Sequence, residues 1–311
     1  MKHFYEKIAV FNTGSALKRF HEDKFLNLEI PIPSLINQRK IISEQNGFAE
    51  RLINLKSDIT ELNNKIQKYF LDKLGIIKNE NQKNISSSKI LFVRYKNIQK
   101  WSLSSILKEK LFSFKNVNHS IILLSKIVIS FDGGKTPSTS RKDYWNGNIN
   151  WISPKDFNGI EINDSIDKIT EKAVKECGMK IYEKGVLLGV FRSGILRHSF
   201  PVAITNLPVA VNQDIKAMLV DSKIINSKYL LYFLHLLQEY VLENCVKYGV
   251  TVESLNTDEF LSLKIIVPNL KTQFEIVKNL DQLFDKVVLK NNEITKIEIK
   301  KRKSLETSIF N

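Results

Sequence analysis

The sequence predicts an α+β protein, in which one β-rich domain is flanked by two long helices forming an antiparallel coiled coil. Three observations carry that expectation. The phrase "FLNLEIPIPSLINQ" at 25–38 recurs as "FLSLKIIVPNLKTQ" at 260–273, at a constant offset of 235 residues and with seven of the fourteen positions identical. After each copy, apolar residues fall at alternating steps of three and four, the spacing of a coiled-coil seam. Between the copies lie short runs of branched and aromatic residues, separated by Gly, Pro and Asn turns. Solenoids and propellers repeat every 20–50 residues or so, so the longer offset reads as a duplicated segment bracketing one unlike segment.

Taken in order, residues 1–37 read as the end of a domain rather than its beginning. At the same offset Met1 aligns with Leu236, inside the helical pattern "SKYLLYFLHLLQEYVLENCV". Residues 38–75 are expected to form a long helix, with Ile41, Phe48, Leu52, Leu55, Ile59, Leu62, Ile66 and Tyr69 on one stripe. Pro33 precedes this helix and Gly75 is placed to end it. Residues 76–90, "IIKNENQKNISSSKI", are polar and aperiodic and read as a linker. Residues 91–271 form the β-rich domain, with runs such as "IVISF", "NINWI", "GVLLGVF", "VAIT" and "AVNQDIKAMLV" and a helix expected over 226–247. Residues 272–311 repeat the long helix through Ile276, Leu280, Leu283, Val287, Ile294 and Ile297, with Asn291 where a seam residue is due and Lys290 beside it. Each helix, at about 1.5 Å per residue, spans roughly 55 Å. Neither can bury its stripe alone. The intervening domain returns the chain toward its start, so an antiparallel pair is expected.

The chain has 311 residues, room for about two domains. Its net charge of +14 makes polyanions the first class of partner to consider. Most of the 47 basic residues are Lys in a chain also rich in Asn, so charge alone decides little. Two cysteines, Cys177 and Cys245, support neither a disulfide framework nor a Cys-rich metal site. "MKHFYEKIAVFN" lacks the apolar core of a signal peptide. The most apolar run, "YLLYFLHLLQEYVL", is too short to span a bilayer. A soluble, cytoplasmic protein with no membrane partner is expected. No Asn-Pro-Pro-aromatic tetrapeptide, Gly-x-Gly-x-x-Gly fingerprint or complete Gly-x4-Gly-Lys-Ser/Thr loop occurs. His3, His21, His119, His198 and His235 are scattered without metal-ligand spacing. The sequence therefore predicts no catalytic residue, cofactor or metal.

Sequence reading of DNA requires side chains that reach base edges from a scaffold held by phosphate contacts. The loop from Gly133 to Arg141 supplies such groups densely, in Lys135, Thr136, Ser138, Thr139, Ser140 and Arg141. The alternative is a structural hairpin loop whose hydroxyls cap turns. Tyr144, Trp145 and Trp151 could stack on bases or sugars, though core packing is the favoured role for Trp151. Arg192 and Arg197 flank "SGIL" in a predicted turn, and Arg is the commonest specific reader of guanine. Asn212 and Gln213 could read adenine, against the alternative of a structural amide. Lys247, Tyr248 and Thr251 are weaker candidates.

These pieces resemble a known family. A β-rich domain followed by "LxLxIxxPxLxxQ" and a long helix, with phrase and helix duplicated, is similar to the specificity subunit of type I restriction-modification enzymes. "GGKTPSTSRKDYWNGNINWISPKDF" at 133–157 looks like that family's opening target-recognition signature, and "KGVLLGVFRSGILRHSFPVAITN" and "AVNQDIKAM" resemble the later part of the same domain. The resemblance implies a non-catalytic subunit that reads one half of an interrupted site in double-stranded DNA. It also implies methyltransferase subunits docked through the helices and a nuclease-translocase restriction subunit in the complex. Candidate DNA contacts are then Lys135, Thr136, Ser138, Thr139, Arg141, Tyr144, Arg192, Arg197 and Gln213. Candidates for methyltransferase docking or helix pairing are Leu52, Leu55, Ile59, Leu62, Ile66, Leu280, Val287, Ile294 and Ile297. One complete target-recognition domain with the remnant of another departs from the family pattern, which implies either a truncated gene product or a half-subunit that pairs as a homodimer or with a second specificity fragment. Competing readings are a coiled-coil scaffold that does not read DNA and a stand-alone DNA-modifying enzyme.

Overall fold

The computed structural model describes residues 12–13, 19–20, 31–79, 111–247 and 252–310. The expected domain remnant at 1–37 lies largely outside the described residues, as do most of the linker, residues 91–110, Tyr248 and Thr251. The chain divides into two compact units, Met1–Ile66 with Gln282–Asn311, and Gln67–Asp281.

The end of the duplicated phrase, at 33–38 and 268–273, is a helix start written twice. Helix α1 spans Leu35–Leu74 and helix α2 spans Leu270–Phe310. They begin three and two residues earlier than the sequence reading placed them, because a capping residue stands just ahead of each. Asn37 N donates to Ser34 Oγ at 3.3 Å, and Thr272 N donates to Asn269 Oδ1 at 2.9 Å. Each side chain thus satisfies one of the first-turn amides that lack an intrahelical partner. Gln38 Nε2 then donates back to Pro33 O, and Gln273 Nε2 to Pro268 O, both at 2.8 Å. Pro33 with Ser34 and Gln38, and Pro268 with Asn269 and Gln273, make the same closure in both copies. At its other end α1 stops at Gly75, whose φ of 68° suits glycine. Ile76 N donates to Leu71 O and Gly75 N to Asp72 O, the paired closure of a left-handed helix end.

In the helical unit, Leu55, Ile66 and Ile297 are buried. Leu52, Ile59, Leu62, Val287 and Ile294 are half-buried beside them, whereas Ile42, Ile53, Val288, Leu289 and Ile299 are exposed. Cross-helix contacts fix the direction. Gln45 Nε2 donates to Lys301 O, Lys300 lies over the Phe48 ring, Arg51 pairs with Glu293 at 2.5 Å and Lys290 pairs with Asp58 at 2.6 Å. One partner's number rises from 45 to 58 as the other falls from 301 to 290, so the helices are antiparallel. Asn291, expected on the seam, is exposed, and Lys290 takes that position instead. The three-four spacing from Val287 to Ile294 passes through 290, and Lys290 reaches Asp58 from there.

The second unit is β-rich. Its strands include β1 (Val128–Gly133), β2 (Trp145–Ile152), β3 (Glu161–Ile162), β4 (Asp167–Ile169), β5 (Leu187–Val190), β6 (Val202–Thr205), β7 (Val209–Val211) and β8 (Ile215–Val220). One sheet has the order β1-β8-β5-β6-β3, antiparallel except where β6 meets β3. A second has the order β7-β2-β4, with β7 parallel to β2. Ile152 and Val211 of the small sheet share one buried cluster with Leu188, Val190, Ala203 and Ala217 of the large one. Phe131, Phe191, Phe200 and Phe260 add a box of aromatic rings packed mostly edge to face. Leu280, counted with the seam by its spacing, is buried in this unit. The helix expected over 226–247 is two helices, Ser227–Leu236 and Gln238–Cys245, with Leu237 between them outside the helical region. The break sets Gln238 where its Oε1 accepts from Phe200 N at 3.1 Å.

Candidate nucleic-acid interface

The loop that follows β1 is fixed to the small sheet by its backbone. Gly134 N donates to Asn212 O at 3.2 Å and Lys135 N to Val211 O at 3.0 Å. A Cβ on Gly134 would stand 1.7 Å from Val211 O, so the approach requires glycine. The indoles hold the loop from its other side. Trp151 Nε1 donates to Lys135 O at 3.0 Å and Trp145 Nε1 to Ser138 O at 3.1 Å, with the two rings perpendicular and 5.2 Å apart. Tyr144 and Trp151 are buried in a cluster with Ile169, Ala173 and Ala210. The aromatics interleaved with the polar loop are thus its floor, and Tyr144 presents no face for stacking on a base.

The candidate side chains divide by what already holds them. Arg141 is held through two of its three nitrogens. Its Nε and Nη2 donate to the two oxygens of Asp143 at 2.9 and 2.8 Å, Nη2 also reaches Glu176 at 3.4 Å, and the guanidinium lies 4.4 Å from the Tyr144 ring centre. Lys172 joins the same carboxylates, and Tyr144 OH donates to Glu176 at 2.6 Å. These hydrogen bonds, those of Arg141 first, hold the Asp143 carboxyl well below the usual carboxylate range. Arg141 is therefore a clamp on the loop. Lys135 Nζ donates to Cys177 O at 2.8 Å, a carbonyl at the C-terminal end of the helix Glu171–Glu176. Thr136 Oγ1 donates to Gln213 Oε1, which leaves the exposed Gln213 amide nitrogen without a partner among the described residues. Ser138 and Ser140 share a hydrogen bond of 2.8 Å, and Thr139 is exposed. Asn212 is buried and bonded on both sides to Asp214, so it is structural.

Arg192 and Arg197 differ from Arg141. Arg192 Nε donates to Asp214 Oδ1 at 2.6 Å, and Arg197 Nε donates to Glu253 Oε1 at 2.5 Å. Their terminal nitrogens have no partner among the described residues, and the side chains are 58% and 57% exposed. The Arg197 hydrogen bond is the largest of the effects that keep the Glu253 carboxyl below its ordinary range. Bonds connect these groups in series: Thr136 to Gln213, Asp214 to Arg192, Ser193 N to Glu253 O at 3.1 Å, and Glu253 to Arg197. The loop and the arginine turn, separate in sequence, are one strip.

Sequence reasoning missed four members of this surface. Lys180 pairs with Asp132 at 2.6 Å beside a concavity of about 250 Å³ lined also by Gly133, Gly134, Lys135 and Tyr182. Lys216 lies 5.9 Å from the Phe131 ring, and its outward alternation in "IKAMLV" was a usable signal. Asp214 and Glu253 had none, since their role depends on arginines 22 and 56 residues away. Among the described residues no cluster of three His, Cys, Asp or Glu could hold a metal ion, and no helix is long and apolar enough to cross a membrane.

Residues 124–299 match the family model of the type I restriction modification DNA specificity domain. The chain is 35% identical over 176 residues to the Escherichia coli type I restriction enzyme EcoR124I/EcoR124II specificity subunit, covering 56% of this chain and 43% of that protein. It is 34% identical over 169 residues to the Methanocaldococcus jannaschii type I restriction enzyme MjaIX specificity subunit, covering 52% and 38%. It thus aligns with less than half the length of either relative. The fold is shared with the type I restriction-modification S subunit from M. genitalium, at a TM-score of 0.53 and 17% identity, over 100% of this chain and 71% of that one. A chain from a study of complex assembly and conformational transition of the type I R-M system gives the same TM-score at 14% identity, over 98% and 67%. With the family model matching more than half of its residues, including the glycine-turned loop and both exposed arginines, this chain belongs to the type I restriction modification DNA specificity family.

Proposed function

We propose that the chain is a non-catalytic specificity subunit that reads one half of an interrupted duplex DNA site through the strip from Lys135 to Arg197. The observation that carries this reading is the pair of exposed arginines, each bonded through Nε and each with two terminal nitrogens to offer. A guanine edge presents O6 and N7 as adjacent acceptors, which such a fork fits. Gln213, with its amide nitrogen unpaired, suits a base acceptor beside them. Lys135, Lys180 and Lys216 supply positive charge for phosphates, and Thr136, Ser138 and Thr139 supply hydroxyls. Tyr144 and Arg141 support the loop from within.

In the helical unit, Leu52, Leu55, Ile59, Leu62, Ile66, Val287, Ile294 and Ile297 serve pairing. The outward Ile42, Ile53, Leu289 and Ile299 are the apolar groups open to methyltransferase subunits, and a restriction subunit completes the proposed complex. A second recognition domain supplies the other half-site.

The test is selection from a library of random-sequence duplexes by the chain together with its methyltransferase subunit. A single enriched sequence is expected, with log affinity falling against log salt at a slope of about −0.9 per phosphate contacted. No enriched sequence, or an affinity indifferent to salt, contradicts the reading.

A further inference from the structure

Arg192 and Arg197 come from opposite ends of one turn, yet each is seated in the same way. In both, Nε is bonded to a carboxylate oxygen while more than half of the side chain stays exposed. The backbone locks Asp214 to Arg192 and ties Glu253 to Ser193, at the start of the turn that carries Arg197. Phe191 N and Arg192 N both donate to Asp214 O, at 2.7 and 3.3 Å. On the other side Ser193 N donates to Glu253 O at 3.1 Å and Leu255 N to Phe191 O at 2.9 Å. Asp214 therefore cannot leave Arg192 without unzipping that segment, and Glu253 is kept beside the turn that carries Arg197.

Glu253 is the more telling of the two acids. Its side chain is 3% exposed, and its second oxygen, Oε2, is buried with no hydrogen-bond partner among the described residues. A buried carboxylate is costly unless paired, and replacing such a pair with apolar residues often leaves stability unchanged or higher. Stability is thus a weak reason for a buried acid here. Holding one solvent-facing guanidinium in one geometry is a stronger one, because an arginine already ordered loses less freedom when it binds.

We propose that Asp214 and Glu253 are specificity-positioning residues, whose carboxylates seat Arg192 and Arg197 through Nε so that the terminal nitrogens form a fixed fork for guanine O6 and N7. This rests on the DNA-reading function proposed above. It assigns the discrimination to pairs, with the acid in each pair never touching DNA.

The experiment compares the parent chain with Asp214→Asn, Glu253→Gln, Arg192→Ala and Arg197→Ala, each with the methyltransferase subunit. Each selects from the random-duplex library, and each is then titrated with the parent's selected duplex and with an unselected one. Asp214→Asn should relax the base pair that Arg192→Ala relaxes, and Glu253→Gln the one that Arg197→Ala relaxes. The expected loss is about five- to 150-fold in discrimination at that position. Affinity of the two carboxamide variants for the unselected duplex should hold or rise, since a negative charge near phosphates is gone. A merely structural role would weaken both duplexes alike. Should Glu253→Gln fail to fold, the half-exposed Asp214–Arg192 pair carries the test alone. A parent that enriches no sequence overturns the DNA-reading function and this inference with it. A parent that does, beside carboxamide variants that keep every base preference, overturns this inference only.

Discussion

The helix pair and the arginine strip are organised on opposite principles. In the helical unit a residue's role follows from its place in a local three-four spacing: Leu52, Leu55, Ile59 and Leu62 face inward and Ile53 does not. On the strip a residue's role follows from its partner, and the partner is remote. Three arginines of one chemical type are held in two different ways, because Arg141 is bonded through both Nε and Nη2 to Asp143 and Glu176 and lies over the Tyr144 ring, while Arg192 and Arg197 are held by a single nitrogen. Periodicity specifies a scaffold, and tertiary contacts decide which of its charged groups remain available.

The largest effect that could break this comparison lies in the scaffold. Leu55→Ala should cost about 2–5 kcal/mol, the usual range for emptying a buried leucine site. Ile53→Ala, two residues away and 65% exposed, should change stability by less than about 0.5 kcal/mol. Urea denaturation of the two variants measures both, and equal losses would mean that the seam does not organise the unit.

Arg141→Ala sharpens the contrast on the strip. Removing the clamp should lower the thermal midpoint and leave every base preference in place. An Arg141→Ala chain that selects a relaxed sequence at one position would move Arg141 among the readers. A smaller effect is expected from Lys135→Ala. As a phosphate-facing group it should weaken all duplexes alike and reduce the salt slope by about 1. A loss confined to one base pair would make it a reader instead.

The same contrast explains what the sequence could reveal. The long helices and the glycine stop at 75 were legible because heptad spacing and capping are local, and their antiparallel pairing because one domain between two equal helices returns the chain toward its start. The seam residue at 290 was misassigned to Asn291, since a polar residue interrupts the apolar phase that would have fixed it. The single helix expected over 226–247 hid a break at Leu237, beside which Gln238 accepts from Phe200, a residue 38 positions away in sequence. At the site, the glycine-turned loop and the arginine turn were visible as residue types. Their union through Thr136 and Gln213, and the seating of the arginines on Asp214 and Glu253, depend on contacts across 22 to 77 residues that no local pattern records.

The central claim is that the strip reads base sequence, and one ratio tests it most directly. That ratio is the affinity for the selected duplex over the affinity for an unselected one, at a single salt concentration, for the parent and for an Arg192→Ala/Arg197→Ala double variant with the methyltransferase subunit bound. Two lost base contacts, each contributing about 1–3 kcal/mol of discrimination, should collapse the ratio by roughly 30-fold or more while binding to the unselected duplex persists. A double variant that retains the parent's ratio would show that sequence is read elsewhere on the molecule.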